Sequence, residues 1–351
     1  MKEDNKQVRI SILIPAFNVQ DYLEECLESV LVQTLQPCEI VLAYEKSGDR
    51  TLEICESYAA QYDMVKIVEQ QAKGLSAARN TGLDHATGDF VVFIDSDDFI
   101  SENMLAVLHE TITRTGADMV KCGIQLYFNE SRTERMKGIQ DSELVMEDKE
   151  TFFRAFFHKQ LNPGVCNAIY RRELFHGIRF FEGKLVEDTF VAPHLLMASK
   201  KIVTIPEPLY CYRQREGSIM RTFDDRHFDI LESKEQLKQV LLDNGLFESL
   251  QNDLYVWYGF HLMIMIKQSA KYSPWRQYKK YVSELHRREP EEELDRILQA
   301  VYNQDGTLQP ERNYQAGIEK MKKALAYFRS HPDRYWLKVA YNQWKKSRKN
   351  I

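Results

Sequence analysis

From Arg9 to Ile94 the chain alternates short apolar runs with segments of helical periodicity, and this alternation limits its folds more than any other feature. Arg9 to Pro15 (Arg-Ile-Ser-Ile-Leu-Ile-Pro) reads as a buried strand, and Asp21 to Gln33 sets Leu23, Leu27, Val30 and Leu31 at helical spacing. Glu39 to Ala43 predicts a second strand, Thr51 to Tyr62 a helix, Val65 to Val68 a third strand and Ser76 to His85 a further helix. After the breaker Gly88-Asp89, Phe90 to Ile94 predicts a fourth strand. Strands alternating with helices of this length build βαβ units, hence an α/β fold with a mainly parallel sheet covered by helices on both faces. Ligands of such sheets bind beyond the carboxyl ends of the strands.

Further on, strands are expected at Met119 to Gln125 and Ile202 to Ile205, and the polar stretch Asn129 to Asp148 reads as a loop. Strand signals vanish after about Arg226, and Ile230 to Asn244, Asp253 to Ser269 and Gln315 to Phe328 carry helical patterns. The chain therefore divides into an α/β domain over residues 1–225 and a helical C-terminal region over residues 226–351. A 351-residue chain that is 44% hydrophobic and 28% charged can form a sizeable core, which excludes disorder throughout.

The longest apolar run, Leu254 to Ile266, holds 13 residues and includes His261, too few for the roughly 20 of a spanning helix. The N-terminus is polar and lacks a secretory pattern, so a cytoplasmic protein is expected. Six scattered cysteines without a C-x-x-C pair agree with buried free thiols. Charge is uneven. Glu311 to Lys349 holds 11 Lys and Arg against 3 Asp and Glu, so the net −5 of the chain leaves −13 for the first 310 residues.

The usual nucleotide signatures of α/β sheets are missing. No two glycines stand two apart, so G-x-G-x-x-G is absent, and G-x-x-x-x-G-K-[ST] does not occur. Neither a dinucleotide dehydrogenase nor a P-loop NTPase is expected. The fourth strand runs instead into Asp95-Ser96-Asp97-Asp98. Three carboxylates in four residues repel unless a cation or many hydrogen bonds offset them, which suits Mg²⁺ or Mn²⁺, or else one of them caps a helix starting near Asp98. A second acidic pair, Glu187-Asp188, stands among apolar residues, where a carboxylate can serve as a general base or simply begin a solvated helix. Arg213 and Arg215 alternate on a short segment, as a clamp for a diphosphate would, or as plain surface charge.

In order, the chain carries Ile12-Leu13-Ile14-Pro15-Ala16-Phe17-Asn18, Gly74-Leu75-Ser76-Ala77-Ala78-Arg79-Asn80-Thr81-Gly82, the acidic Asp95 to Asp98, Glu187-Asp188, and Arg213 to Ile219. Over residues 8–220 this ordered set resembles the family 2 nucleotide-sugar glycosyltransferases. The resemblance implies the A-type fold, a Rossmann-like sheet flanked by helices, and an inverting, Mg²⁺- or Mn²⁺-dependent sugar transfer. It places Asp97 as direct metal ligand, Asp95 at the ribose or the metal, and Asp188 as the base that deprotonates the acceptor hydroxyl. Pro15, Phe17 and Arg79 fall on donor-pocket positions, and Arg213 and Arg215 on the diphosphate. The implied partners are a nucleotide-sugar donor, UDP-linked as the commonest choice, and a lipid-linked or growing polysaccharide acceptor of the bacterial surface type.

One departure stands out. Members of the family usually follow the second strand with Asp-Asp-Gly-Ser, where this chain has Tyr44-Glu45-Lys46-Ser47, with Ser47, Asp49 and Thr51 still in register. Glu45 can take over the nucleobase contact, or Tyr44 can stack there. The alternative is a non-catalytic glycan- or nucleotide-binding relative. At the other end, a helix over Arg334 to Lys349 would gather Leu337, Tyr341 and Trp344 on one face with Lys345, Lys346, Arg348 and Lys349 at its rim. Such a helix can lie peripherally on an anionic membrane or dock on the protein's own core. Without a recognition module, and with an acidic body, nucleic acid is not an expected partner.

Overall fold

The computed structural model describes residues 9–136, 142–215, 223–288 and 291–302, together with scattered positions between 323 and 335. The chain forms two compact units, residues 1–215 and residues 216–351. The first unit opens with β1 (Ile10–Ala16), α1 (Leu23–Leu31), β2 (Glu39–Tyr44), α2 (Thr51–Gln61), β3 (Val65–Glu69), α3 (Leu75–His85) and β4 (Phe90–Phe93), as the apolar periodicity predicts. It continues through β5 (Phe99–Ile100), α4 (Met104–Thr115), β6 (Met119–Asn129), β7 (Arg132–Arg135) and β8 (Leu144–Met146). α5 (Lys149–Phe157), β9 (Ala168–Arg171), α6 (Glu187–Ala198) and β10 (Ile202–Arg213) complete it.

Among the described residues these strands form one sheet in the order β3-β2-β1-β4-β9-β6-β10-β5, with β7 beside β6 and β8 beside β10. The four strands β3, β2, β1 and β4 are mutually parallel, and all six residues of β2 are buried. β9 runs antiparallel to both β4 and β6, so the parallel character holds over the first half and the sheet as a whole is mixed. Two expectations change. Asn129 to Asp148 contains β7 and β8 rather than loop alone. β10 does not stop at Ile205 but continues past Pro206 and Pro208 to Arg213, its pairing with β6 shifting register around the prolines.

The chain runs from β1 outward to β2 and β3, then returns to place β4 on the other side of β1. The crevice of an open α/β sheet lies at such a reversal, beyond the carboxyl ends of β1 and β4. Helix α3 covers this region closely because its inner face is small. Ala77 and Ala78 are buried, and a Cβ on Gly82 would stand 3.2 Å from the Cβ of Leu13 in β1. At the opposite end of the strands Gly88 is required by close approach, since a Cβ there would meet the Arg9 carbonyl and the Ser11 nitrogen and hydroxyl at 2.8 Å.

Glu39 anchors that same end. Its carboxylate, 1% exposed, accepts from the Ser11 hydroxyl at 2.6 Å, the Thr87 nitrogen at 2.6 Å and hydroxyl at 2.9 Å, and Lys66 Nζ at 2.7 Å. Burial alone would raise its pKa, but the hydrogen bonds from Lys66, Ser11 and Thr87 win and hold it at about 2. A depressed folded-state pKa contributes stability above the ordinary carboxylate range and loses it as pH falls toward that value. Glu39→Gln should therefore destabilise the protein by about 3 kcal/mol at pH 7, and the gap to wild type should close between about pH 5 and pH 2. Denaturant titrations of both proteins across that range check this, and a pH-independent gap would contradict it.

The second unit holds α7 (Asp229–Asp243), α8 (Phe247–Tyr272), α9 (Trp275–Arg288) and α10 (Glu291–Tyr302). α8 packs against the other three and buries Leu254, Trp257, Tyr258 and Leu262. No helix among the described residues is long and apolar enough to cross a membrane. All six cysteines are free thiols, four buried and Cys38 and Cys211 half-buried. The segment Gln315 to Phe328 and the basic stretch Arg334 to Lys349 lie, but for scattered positions, outside the described residues.

Candidate active site

The loop leaving β1 carries Phe17, 48% exposed, and Asn18 in the left-handed region at φ 49°. Asn tolerates that conformation better than most residues. The loop is stitched to the turn after β2. Asn18 N donates to Ser47 Oγ at 3.0 Å, Val19 N to Thr51 Oγ1 at 2.9 Å and Gln20 N to Asp49 Oδ2 at 3.1 Å. The three residues that keep the family register thus shape the crevice wall. Tyr44 is buried and its hydroxyl accepts from Ser47 N at 3.0 Å, so its ring supports the turn rather than presenting a face for stacking. Glu45 extends beyond β2, where Oε2 accepts from Gln70 Nε2 and from Gly74 N, both at 2.8 Å. Gly74 adopts φ 95° at the start of α3, a conformation that glycine takes without strain. Glu45 Oε1 carries no hydrogen bond among the described residues.

The acidic loop after β4 splits into distinct jobs. No helix starts at Asp98; β5 follows it, and α4 begins only at Met104. Asp98 is 1% exposed and braces β10, its Oδ2 accepting from the Tyr210 hydroxyl at 2.6 Å and its Oδ1 from Arg213 N at 2.8 Å. Burial, then Asp95 and Asp97, push its pKa up. Asp95 and Asp97 remain partly open at 29% and 23% side-chain exposure. Asp95 Oδ1 accepts from Arg79 at 3.0 Å and Asp97 Oδ2 from Arg215 Nε at 2.7 Å, which leaves one oxygen on each without a partner among the described residues. Burial and the neighbouring Asp95 raise the pKa of Asp97.

Arg79 is the hub. It lies on α3, 2% exposed, with Nη1 donating to Glu187 Oε1 at 2.7 Å and Asp188 Oδ1 at 3.1 Å, and Nη2 to Asp95 Oδ1 at 3.0 Å. Its guanidinium stacks 5.3 Å from the Phe180 ring centroid and leaves Nε buried without a partner. The next residue, Asn80, clamps the same segment by bonding both the Phe180 nitrogen and carbonyl, at 2.8 and 3.0 Å. Arg79 is thus a buried cation that gathers Asp95, from the loop after β4, and Glu187 and Asp188, from the start of α6.

Glu187 and Asp188 form the first turn of α6, where the helix dipole favours negative charge. The helix is buried along most of its length, which fixes that turn in place. Burial and Asp188 push the Glu187 pKa up to about 7 against the pull of Arg79. Burial also raises that of Asp188, with Asp95 adding to it and Arg79 and Lys121 opposing. Asp188 Oδ2 has no hydrogen bond among the described residues and keeps 27% side-chain exposure. Lys121, absent from the residues expected at the site, is 4% exposed on β6 and donates to the Gly164 carbonyl, and burial lowers its pKa to about 8. A lysine inside the apolar run Met119-Val120-Lys121-Cys122 was the available signal.

The two arginines of the proposed clamp differ. Arg213 is not brought to the open crevice. Its Nε donates to the Asp97 carbonyl at 2.9 Å, Nη2 pairs with Glu25 at 2.6 Å, and the rings of Tyr22, Phe99 and Tyr127 surround it at 5.0–5.4 Å. Arg215 is more open, with 33% of its side chain exposed beside Asp97. No group of three or more His, Cys, Asp or Glu among the described residues is arranged to hold a metal. Asp95 and Asp97, each keeping one oxygen without a partner among the described residues, still fit Mg²⁺ or Mn²⁺, which complete their shells with water and phosphate oxygens.

The α/β fold of this chain is shared with solved structures. Residues 1–349 of TarS from S. aureus, solved with UDP-GlcNAc, superpose with a TM-score of 0.60 at 20% identity, covering 96% of this chain and 92% of that one. Residues 11–179 match the family model for glycosyl transferase family 2. The chain is 32% identical to the glycosyltransferase GlyG of Streptococcus pneumoniae over 61% of its own length and 73% of that protein's. It is also 29% identical to GlyA of the same organism, spanning 84% of this chain but only 44% of that longer relative. The chain belongs to glycosyl transferase family 2.

Proposed function

We propose that this glycosyltransferase moves one sugar from a nucleotide-diphosphate donor to a hydroxyl of a lipid-linked or growing polysaccharide acceptor, with inversion at the anomeric carbon. The observation that carries this reading is the single guanidinium of Arg79 holding Asp95, from the end of β4, beside Glu187 and Asp188, from the start of α6. A donor-side carboxylate and a candidate base are thereby kept within one side chain of each other, the proximity a direct displacement needs.

In this reading Asp188 takes the proton of the acceptor hydroxyl through its open Oδ2. Its raised pKa makes it a stronger base than an ordinary carboxylate. Asp97 and Asp95 would hold Mg²⁺ or Mn²⁺, which supplies positive charge against the charge growing on the leaving diphosphate. Arg215 stands beside Asp97 to add a guanidinium to the same diphosphate. Glu45 Oε1 accepts a base N–H in place of the absent aspartate, and Pro15 and Phe17 line the crevice beside it. A uridine donor agrees with the UDP-GlcNAc bound by TarS. Chelation should abolish release of nucleoside diphosphate, and Asp97→Asn should raise the Mn²⁺ concentration needed for half-maximal turnover at least tenfold. Unchanged turnover in EDTA would remove the metal from this reading.

A further inference from the structure

At the opposite end of the strands from the candidate crevice, where β4 begins, lies a cavity of about 800 Å³. Phe90 lines it, and Asp95 stands five residues on, roughly 16 Å along an extended strand. Four arginines (Arg9, Arg171, Arg172 and Arg179) line it with His109 and His176, against only two carboxylates. Among the described residues neither Asp89 nor Glu173, the two acids of its wall, comes within 4.0 Å of a guanidinium.

Two of the arginines are anchored through Nε; Arg171 also stands 4.0 Å from the Asp118 carboxylate, and Arg172 meets no carboxylate among the described residues. Arg171 Nε donates to the Ala117 carbonyl at 2.9 Å and Arg172 Nε to the Gly88 carbonyl at 2.5 Å, which holds both stems on backbone of separate elements. The terminal nitrogens of both make no hydrogen bond among the described residues. Arg9 donates to the Thr87 hydroxyl at 3.0 Å and also interacts with the Cys38 side chain, whereas Arg179 is neutralised by Asp84 at 3.0 Å. A buried-edge ion-pair network would have spent these donors. Guanidinium forks held on fixed stems with their outer nitrogens open match phosphate oxygens in geometry and charge.

We propose that this cavity is a second binding site, taking the phosphate groups of an anionic ligand at the end of the strands away from the candidate crevice. The test is calorimetric titration of the full-length protein, without divalent metal, using inorganic tripolyphosphate in one arm and a phosphodiester-linked glycerol oligomer in the other. Wild type should bind at least one probe, more weakly as salt rises. Arg172→Gln should weaken binding tenfold or more. So should Thr113→Glu, which puts a carboxylate on the exposed α4 wall and removes none of the anchoring bonds, so that misfolding does not explain a loss. Arg132→Gln, elsewhere on the surface, should bind as wild type does. Binding of tripolyphosphate alone assigns the site to a small phosphorylated ligand, and tighter binding of the oligomer assigns it to a polymer. No binding at millimolar concentration, or equal binding by Thr113→Glu and wild type, overturns the proposal. Occupancy of the catalytic crevice by either probe would leave both variants unaffected, so it is told apart.

Discussion

Asp188→Asn should lower turnover by about 10² to 10⁴ while leaving donor affinity within a fewfold of wild type, because it removes proton transfer and keeps the shape of the side chain. The amide can still accept from Arg79, so the fold around α6 should persist. Glu187→Gln is the informative companion. Glu187 is buried and paired with Arg79, and in the proposed reading it is Asp188, not Glu187, that takes the acceptor proton. Its loss should reduce turnover less than that of Asp188. On the acid side wild-type kcat/KM should rise with pH as the carboxylates at the head of α6 deprotonate, with a midpoint above the ordinary carboxylate range. Glu187→Gln should move that midpoint down, since it removes a negative neighbour that holds the Asp188 proton on. Steady-state kinetics from pH 5 to 8 on the three proteins test this, and equal losses in both variants would contradict the division of roles.

Arg79→Met should be the most damaging single change to the molecule. It leaves Asp95, Glu187 and Asp188 facing one another without their shared cation. Removing one member of a buried ionic group costs about 3–5 kcal/mol, and the partial exposure of Asp95 and Asp188 puts the expected loss near the lower figure. For a domain of this size that is a fall in Tm of roughly 6–12 °C. The sign of the pH dependence identifies the cause. In the variant the clustered carboxylates have folded-state pKa values above their unfolded values, so the repulsion is present at high pH and fades as they protonate on the way down. The Tm gap between Arg79→Met and wild type should therefore narrow from pH 8 to pH 5. Arg79→Lys should fall between the two, because one ammonium does not span partners held by Nη1 and Nη2 together. A gap independent of pH would mean that lost packing on Phe180, not charge, carries the effect.

The parallel half of the sheet was legible because β1 and β2 are buried on both faces and so read as unbroken apolar runs. β5 and β9, of two and four residues, were not, since pairing with β10 and with β4 and β6 defines them and no local periodicity does. The candidate carboxylates were visible as acidic clusters beside apolar runs. Their division of labour was not: Asp98 braces β10 through Tyr210, a residue 112 positions away. Arg213 misled for the same reason. Next to Tyr210 and Tyr212 it reads as an open clamp, yet the side chains that engage it, Glu25, Tyr22, Phe99 and Tyr127, come from three distant segments. Arg79 was placed at the donor by resemblance, and only the fold brings Asp95 and Glu187-Asp188 onto its two ends.

The departure at Tyr44-Glu45 bears on the proposed donor site, because Tyr44 supports the turn and one oxygen of Glu45 keeps no partner among the described residues. The most direct test is nucleoside diphosphate release by the wild-type protein with Mn²⁺ across a panel of nucleotide sugars. Turnover of one donor class, UDP-linked, that is lost on chelation and in Asp188→Asn is the expected result. Donor binding without release for every sugar in the panel would contradict it.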